Sequence, residues 1–91
     1  MNFIYEENRI YLEDDDHCTI AEVTFPSITP HQVLVDHTFV DPSLRGQGVA
    51  GKLMEAAARY FKENHLLARL SCSYAVKWFA EHPEYSDVVI K

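Results

Sequence analysis

The chain has 91 residues, 47% of them hydrophobic, and a formal net charge of -6. That length builds one compact domain over residues 1–91 and leaves too little chain for two independent cores. The negative field repels nucleic acid and anionic membrane, so neither is expected as a partner, and any anionic ligand has to be held by a local set of donors.

FIYEE, RIYLE, CTIAEVTF and QVLVDHTFV are short and rich in β-branched and aromatic residues. Turn-like EN, DDDH and PSITPH separate them, which predicts an antiparallel meander from Phe3 to Val40. The acidic run from Glu13 to Asp16 reads as a solvated hairpin turn, because four adjacent carboxylates cannot converge on one ion. In the last strand Val33, Val35, His37 and Phe39 share one face, and Leu34, Asp36, Thr38 and Val40 the other. Both faces are mostly apolar, as in a central strand, and His37 is expected to be partly buried.

From Val49 to about Asn64 the period turns helical. Val49, Leu53, Ala56, Ala57, Tyr60 and Phe61 lie on one side, and Lys52, Glu55, Arg59, Lys62 and Glu63 on the other. Glu55 with Arg59, and Arg59 with Glu63, are i,i+4 pairs, and Asn64 reads as a left-handed C-cap. LLARLS is then a strand that returns parallel to the fourth through that helix. SYAVKWFAEH is a short helix stopped by Pro83, and SDVVI closes the chain as an edge strand. The sum is a mixed α+β layer structure.

All three glycines lie between the fourth strand and the long helix, in VDPSLRGQGVAGKL. Gly46, Gly48 and Gly51 satisfy GxGxxG. A dinucleotide fold also needs an acidic residue at the end of the next strand, where this chain has Ser71 and Cys72, so NAD is set aside. Gly46 to Lys52 matches GxxxxGK, yet residue 53 is Leu and the magnesium-holding hydroxyl is missing, so ATP is set aside too. No Ser, Thr, Asp or Asn stands at 45–48 to cap the helix, and its first N–H groups lack a side-chain partner. A pyrophosphate can be that cap, approached closely at Gly46 and Gly48, with Arg45 and Lys52 as counter-charges.

Arg45-Gly-Gln-Gly48-Val-Ala50 fits an [Arg/Gln]-x-x-Gly-x-[Gly/Ala] pattern and resembles the acyl-CoA pyrophosphate loop of the GNAT-type N-acetyltransferase superfamily. DHTFVDPSLRGQGVAGKL followed by SCSY and HPEY is similar to small, stand-alone bacterial GNAT-like proteins described as acetyltransferases of unknown acceptor. The resemblance covers nearly the whole chain and is strongest from Asp36 to Leu53. It implies a GNAT-like α+β fold: antiparallel meander, glycine loop, crossover helix, parallel strand and short C-terminal helix. It also implies acetyl-CoA as acyl donor. The donor is held by Arg45, Gly46, Gln47, Gly48, Val49, Ala50, Gly51 and Lys52, with the backbone around His37, Thr38, Phe39 and Val40 along its pantetheine arm. That arm lies where the strands before the loop and after the helix splay apart.

Cys72 falls where the second of those strands ends and the short helix begins, a position whose dipole favours a thiolate nucleophile. An inert small hydrophobe at a strand end is the other reading. His37 can serve as base for Cys72 or for an amine, or sit as a core histidine. Small relatives are similar in carrying Cys and His in CxY and HT contexts. Tyr74 stands where larger GNAT-like enzymes often place a general acid, or it packs the helix. No His, Cys or Asp set has metal-ligand spacing, so no metal is expected. Cys18 and Cys72, outside any CxxC pattern, suggest a reducing, cytoplasmic setting, and no segment reads as a targeting signal or membrane span.

Larger GNAT-like enzymes insert helices after the first strand to build the acceptor site, and this chain has none there. The expected function is N-acetyl transfer to an amine, small or on a protein, directly or through Cys72. A non-catalytic acyl-CoA binding or sensing module is the alternative, and a ligand-free protein-interaction domain a third.

Overall fold

The computed structural model describes residues 2–90. Strands β1 (Ile4–Glu6), β2 (Arg9–Glu13) and β3 (Thr19–Thr24) form the antiparallel meander, with β6 (His37–Val40) beside β3. A second sheet holds β4 (Ser27–Thr29), β5 (Gln32–Val35) and β7 (Leu67–Leu70), β5 pairing antiparallel to β4 and parallel to β7. α1 (Val49–Glu63) connects β6 to β7, and α2 (Ser73–Ala80) follows β7. The α+β class, the meander, the crossover helix and the parallel return are as the sequence implies.

The stretch read as one strand, residues 32–40, is two. β5 and β6 belong to different sheets, and Asp36 between them is the break. Its N–H reaches Thr24 O at 3.4 Å and its carboxylate accepts from Thr24 Oγ1 at 2.6 Å, tying the step to the end of β3. One residue outside the ladder shifts the alternation by one. Val33 and Val35 are buried, but beyond Asp36 the inward residues are Thr38 and Val40, while His37 and Phe39 are exposed. The expected face is corrected accordingly, and His37 is not partly buried.

Three other expectations are corrected. PSITPH is not all turn: Ser27–Thr29 forms a short edge strand, pairing with β5. Asn64 is not left-handed (φ -102°); His65 is, at φ 55°. Leu66 N bonds Phe61 O at 2.8 Å and His65 N bonds Lys62 O at 3.4 Å, so the helix ends in a Schellman motif whose left-handed residue lies one beyond the C-cap. Finally, SDVVI is mostly not a strand. Pro83, with its φ already helical, starts a 3-10 helix over Pro83–Val88, and only Val89 and Ile90 reach Ala68 on the free edge of β7.

The acidic run caps the β2–β3 hairpin in solvent. Asp14 organises it, its carboxylate accepting from the N–H groups of Asp16 and Cys18. Cys18 lies in that turn and is exposed. On α1 the buried arc includes Met54 and Ala58 beside the anticipated residues, of which Tyr60 is only half-buried. It is wide because the helix meets β2, β3, β6 and β7 on one side and α2 with the 83–88 helix on the other. Phe25 anchors the centre, wholly buried and edge-on to Phe61 at 5.0 Å. Among the described residues no helix is long and apolar enough to cross a membrane. Phe25→Ala should cost about 3–5 kcal/mol in denaturant unfolding, since it empties a ring-sized volume that neighbours cannot refill.

Candidate functional site

Val35 is a fork. Its carbonyl accepts Ser71 N at 3.0 Å and Cys72 N at 3.1 Å, so β7 and the start of α2 stay with β5. The chain itself steps through Asp36 into β6, which pairs with β3 instead. Among the described residues no ladder joins β6 to β7, and a wedge opens between them. Asp41 N bonds Ile20 O at 2.8 Å. The two-residue alternation of an antiparallel ladder therefore aims the main-chain groups of His37 and Phe39 at β3 and leaves those of Thr38 and Val40 facing the wedge.

Beyond β6, Asp41 caps a 3-10 turn over Pro42–Leu44, its carboxylate accepting from Ser43 N at 2.9 Å. Hydrogen bonds from Ser43 hold that carboxyl below its ordinary value. The chain then turns through Arg45 to Gly48 into α1. Gly46 (φ 84°) and Gly48 (φ 71°) occupy the left-handed region where side chains are disfavoured. Gly48 is the N-cap and has no side chain to offer. The first helical bond is Lys52 N to Gly48 O at 3.1 Å. The N–H groups of Gly46, Gly48, Val49, Ala50 and Gly51 find no acceptor among the described residues.

Those amides border a cavity of about 390 Å³ lined by Thr38, Val40, Leu44, Arg45, Gly46, Gly48, Val49, Ala50, Gly51 and Tyr74. Most of the residues expected to hold a donor molecule are thus gathered at one place. His37, Phe39 and Gln47 do not line it. Lys52 borders an adjoining hollow of about 370 Å³ with Glu55, Tyr74, Trp78 and His82. A Cβ on Gly51 would meet Tyr74 Oη at 3.7 Å and Trp78 Nε1 at 3.8 Å, ordinary contact distances, so α2 lies directly against this first turn of α1.

Cys72 is the N-cap of α2, half-buried, with its Sγ 3.4 Å from Thr38 Oγ1 across the wedge. Burial pushes the thiol up, but Thr38 Oγ1 and the N–H groups of Ala75, Tyr74 and Thr38 outweigh it, and the net pKa is below the ordinary value. None of the α2 amides makes a cap hydrogen bond to the neutral sulfur, so they act as dipoles converging on it. Tyr74 is raised by burial and by the Glu81 carboxylate, which keeps its phenol protonated. His37 is not brought to Cys72: it stands opposite Thr24 on the outer face of the sheet, whereas Thr38 stands opposite buried Val23. Thr38 is the group that reasoning from residue types undervalued, because a hydroxyl in a strand carries no signal until its face is known.

The layers, the parallel return and the wedge define a fold shared with known acetyltransferases. A GCN5-like protein of Staphylococcus aureus solved by NMR superposes with a TM-score of 0.80 at 34% identity, covering 98% of this chain and 87% of that one. Ard1 of Thermoplasma volcanium shares the fold at a TM-score of 0.64 and 17% identity, covering 84% of this chain and 54% of its own. Over 63 residues, 69% of the chain, the sequence is 39% identical to Protein NATD1 of Xenopus tropicalis, and the match spans 58% of that relative's length. Residues 9–88 match the sequence family of GCN5-related N-acetyl-transferases, and the chain belongs to that family.

Because the anion of Cys72 is favoured, alkylation by iodoacetamide in a Cys18→Ser background should persist to lower pH than for an ordinary cysteine. The midpoint of the rate should lie below that of an ordinary cysteine.

Proposed function

We propose that the chain binds acetyl-CoA and transfers its acetyl group to an amine by way of Cys72. The observation that carries this reading is the row of unsatisfied amides at Gly46 and at 48–51, opening on a cavity whose far wall holds Thr38 and Tyr74. On an acidic protein such a row suits a diphosphate, which completes the helix cap that no side chain supplies, with Arg45 as counter-charge. The pantetheine arm then has the main-chain groups of Val40 and the carbonyl of Thr38 to bond along the wedge, the Thr38 N–H being turned to Cys72. This brings the thioester toward Cys72.

The Cys72 thiolate attacks the carbonyl carbon, the carbon–sulfur bond to CoA breaks, and CoA leaves as a thiolate that takes a proton. Tyr74 is the phenol available in the cavity to donate it, reprotonated from water. The amine next attacks S-acetyl-Cys72; that carbon–sulfur bond breaks, the thiolate returns, and the amine's proton passes to water. A free Cys72 thiol suits a reducing, cytoplasmic setting.

β1 and β2 are joined by Glu7 and Asn8 alone, so among the described residues no helix is inserted between them to cover the meander. That openness suits a bulky acceptor, a protein lysine or N-terminus. It is equally what a non-catalytic acyl-CoA sensing module would have.

Intact mass after incubation with acetyl-CoA separates the readings. We expect one bound acetyl-CoA under native conditions and, after denaturation, an acetyl increment that is lost in Cys72→Ala and kept in His37→Ala. Arg45→Glu should weaken acetyl-CoA at least about tenfold, the worth of one charge-assisted contact, and adding Gly48→Val should abolish binding. Affinity surviving Arg45→Glu, with its fold checked by circular dichroism, would remove the loop assignment. Binding without any increment would favour direct transfer or sensing.

A further inference from the structure

We infer that the Thr38 hydroxyl is a positioning residue that acts through Cys72, donating its hydrogen bond to the sulfur so that the thiolate is held on the wedge. The inference deepens the reading above and rests on Cys72 being the group that takes the acetyl.

Thr38 and Cys72 are 34 residues apart in sequence, and their side chains meet at 3.4 Å between β6 and the N-cap of α2. While the thiol keeps its proton either atom can donate. Once the proton is lost only Thr38 can, so this contact favours one protonation state over the other. The step at Asp36 creates it, because without the shift in alternation the side chain turned inward would be His37. β-Branching restricts the Thr38 rotamer in its strand, so little rotamer freedom is lost in aiming the hydroxyl.

The elements around the sulfur also carry Tyr74 and Lys77 on α2 with Glu81 at its C-cap, His37 on β6 with Asp36 just before it, and Arg69 on β7. None of these acts on the thiol by charge; burial and hydrogen bonds do, so Thr38 offers the one side-chain donor. The same bond serves both half-reactions. It lowers the cost of the attacking thiolate, and it makes Cys72 a better leaving group when the amine attacks, since a lower-pKa thiolate departs faster.

Thr38→Val keeps the shape and strand preference and removes the donor; Thr38→Ser restores the donor. In a Cys18→Ser background, Thr38→Val should raise the alkylation midpoint of Cys72 by about one pH unit, the effect of one hydrogen bond to the anion, and Thr38→Ser should return it to the parent value. Acetylation of Cys72 by acetyl-CoA at pH 7 should fall about tenfold in Thr38→Val and recover above the new midpoint, a pH dependence that a merely structural role would not produce. An unmoved midpoint in a folded Thr38→Val, or a Thr38→Ser that fails to restore it, overturns the inference. A midpoint that moves as expected with no acetyl on Cys72 leaves the hydrogen bond standing and overturns the acylation reading beneath it.

Discussion

Everything at the site depends on one carbonyl that binds two successive amides at the junction of β7 and α2. Val35 O binds Ser71 N and Cys72 N, which ends the parallel ladder at that point and keeps α2 attached to β5. The chain cannot continue straight and remain paired with β7, so it crosses to the other sheet. Asp36 makes the crossing, held to Thr24 by its main-chain N–H and by its carboxylate. The wedge, the main-chain groups of Thr38 and Val40 that face it, and the meeting of Thr38 with Cys72 all follow from that departure.

The second constraint is electrostatic. With a net charge of -6 the molecule cannot gather an anion by its overall field, and it concentrates donors instead. The acidic Asp14–Asp16 turn stays in solvent at the tip of the β2–β3 hairpin. The glycine loop presents amides with no competing side-chain cap, and α1 adds the positive end of its dipole. Positive φ at Gly46 and Gly48 is the backbone cost of that geometry, and glycine bears it with little strain. The long helix is buried on a wide arc, so its N-terminus is fixed by the core rather than by the loop.

Much of this is legible in the residues. The period of α1, the glycines before it, the hairpin strands and the position of Cys72 at a strand-to-helix junction all follow from local chemistry, and family resemblance supplies the order of the elements. What was hidden is a single unpaired residue. Asp36 is neither Gly nor Pro, and residues 32–40 alternate well enough to read as one strand, so nothing local reveals that the face changes. The error then propagates: His37 looks inward and Thr38 outward, and the partner of Cys72 is misassigned. Val88 to Ile90 mislead in the opposite way. Their β-branched side chains suit a strand, but Pro83 starts a helical turn and Val88 is used to close the core. At the end of α1, Asn64 has the composition of a left-handed cap, while the hydrogen bond from Leu66 N to Phe61 O sets the motif one residue later.

The most direct test is to follow the backbone amides by two-dimensional NMR while acetyl-CoA is added. The account predicts that Gly46, Gly48, Val49, Ala50 and Gly51 move most, with Thr38 and Val40 next and the Glu7–Asn8 turn unmoved. Binding that leaves the five loop amides in place, or no binding at all, would contradict the claim that an acyl-CoA diphosphate completes the cap of α1.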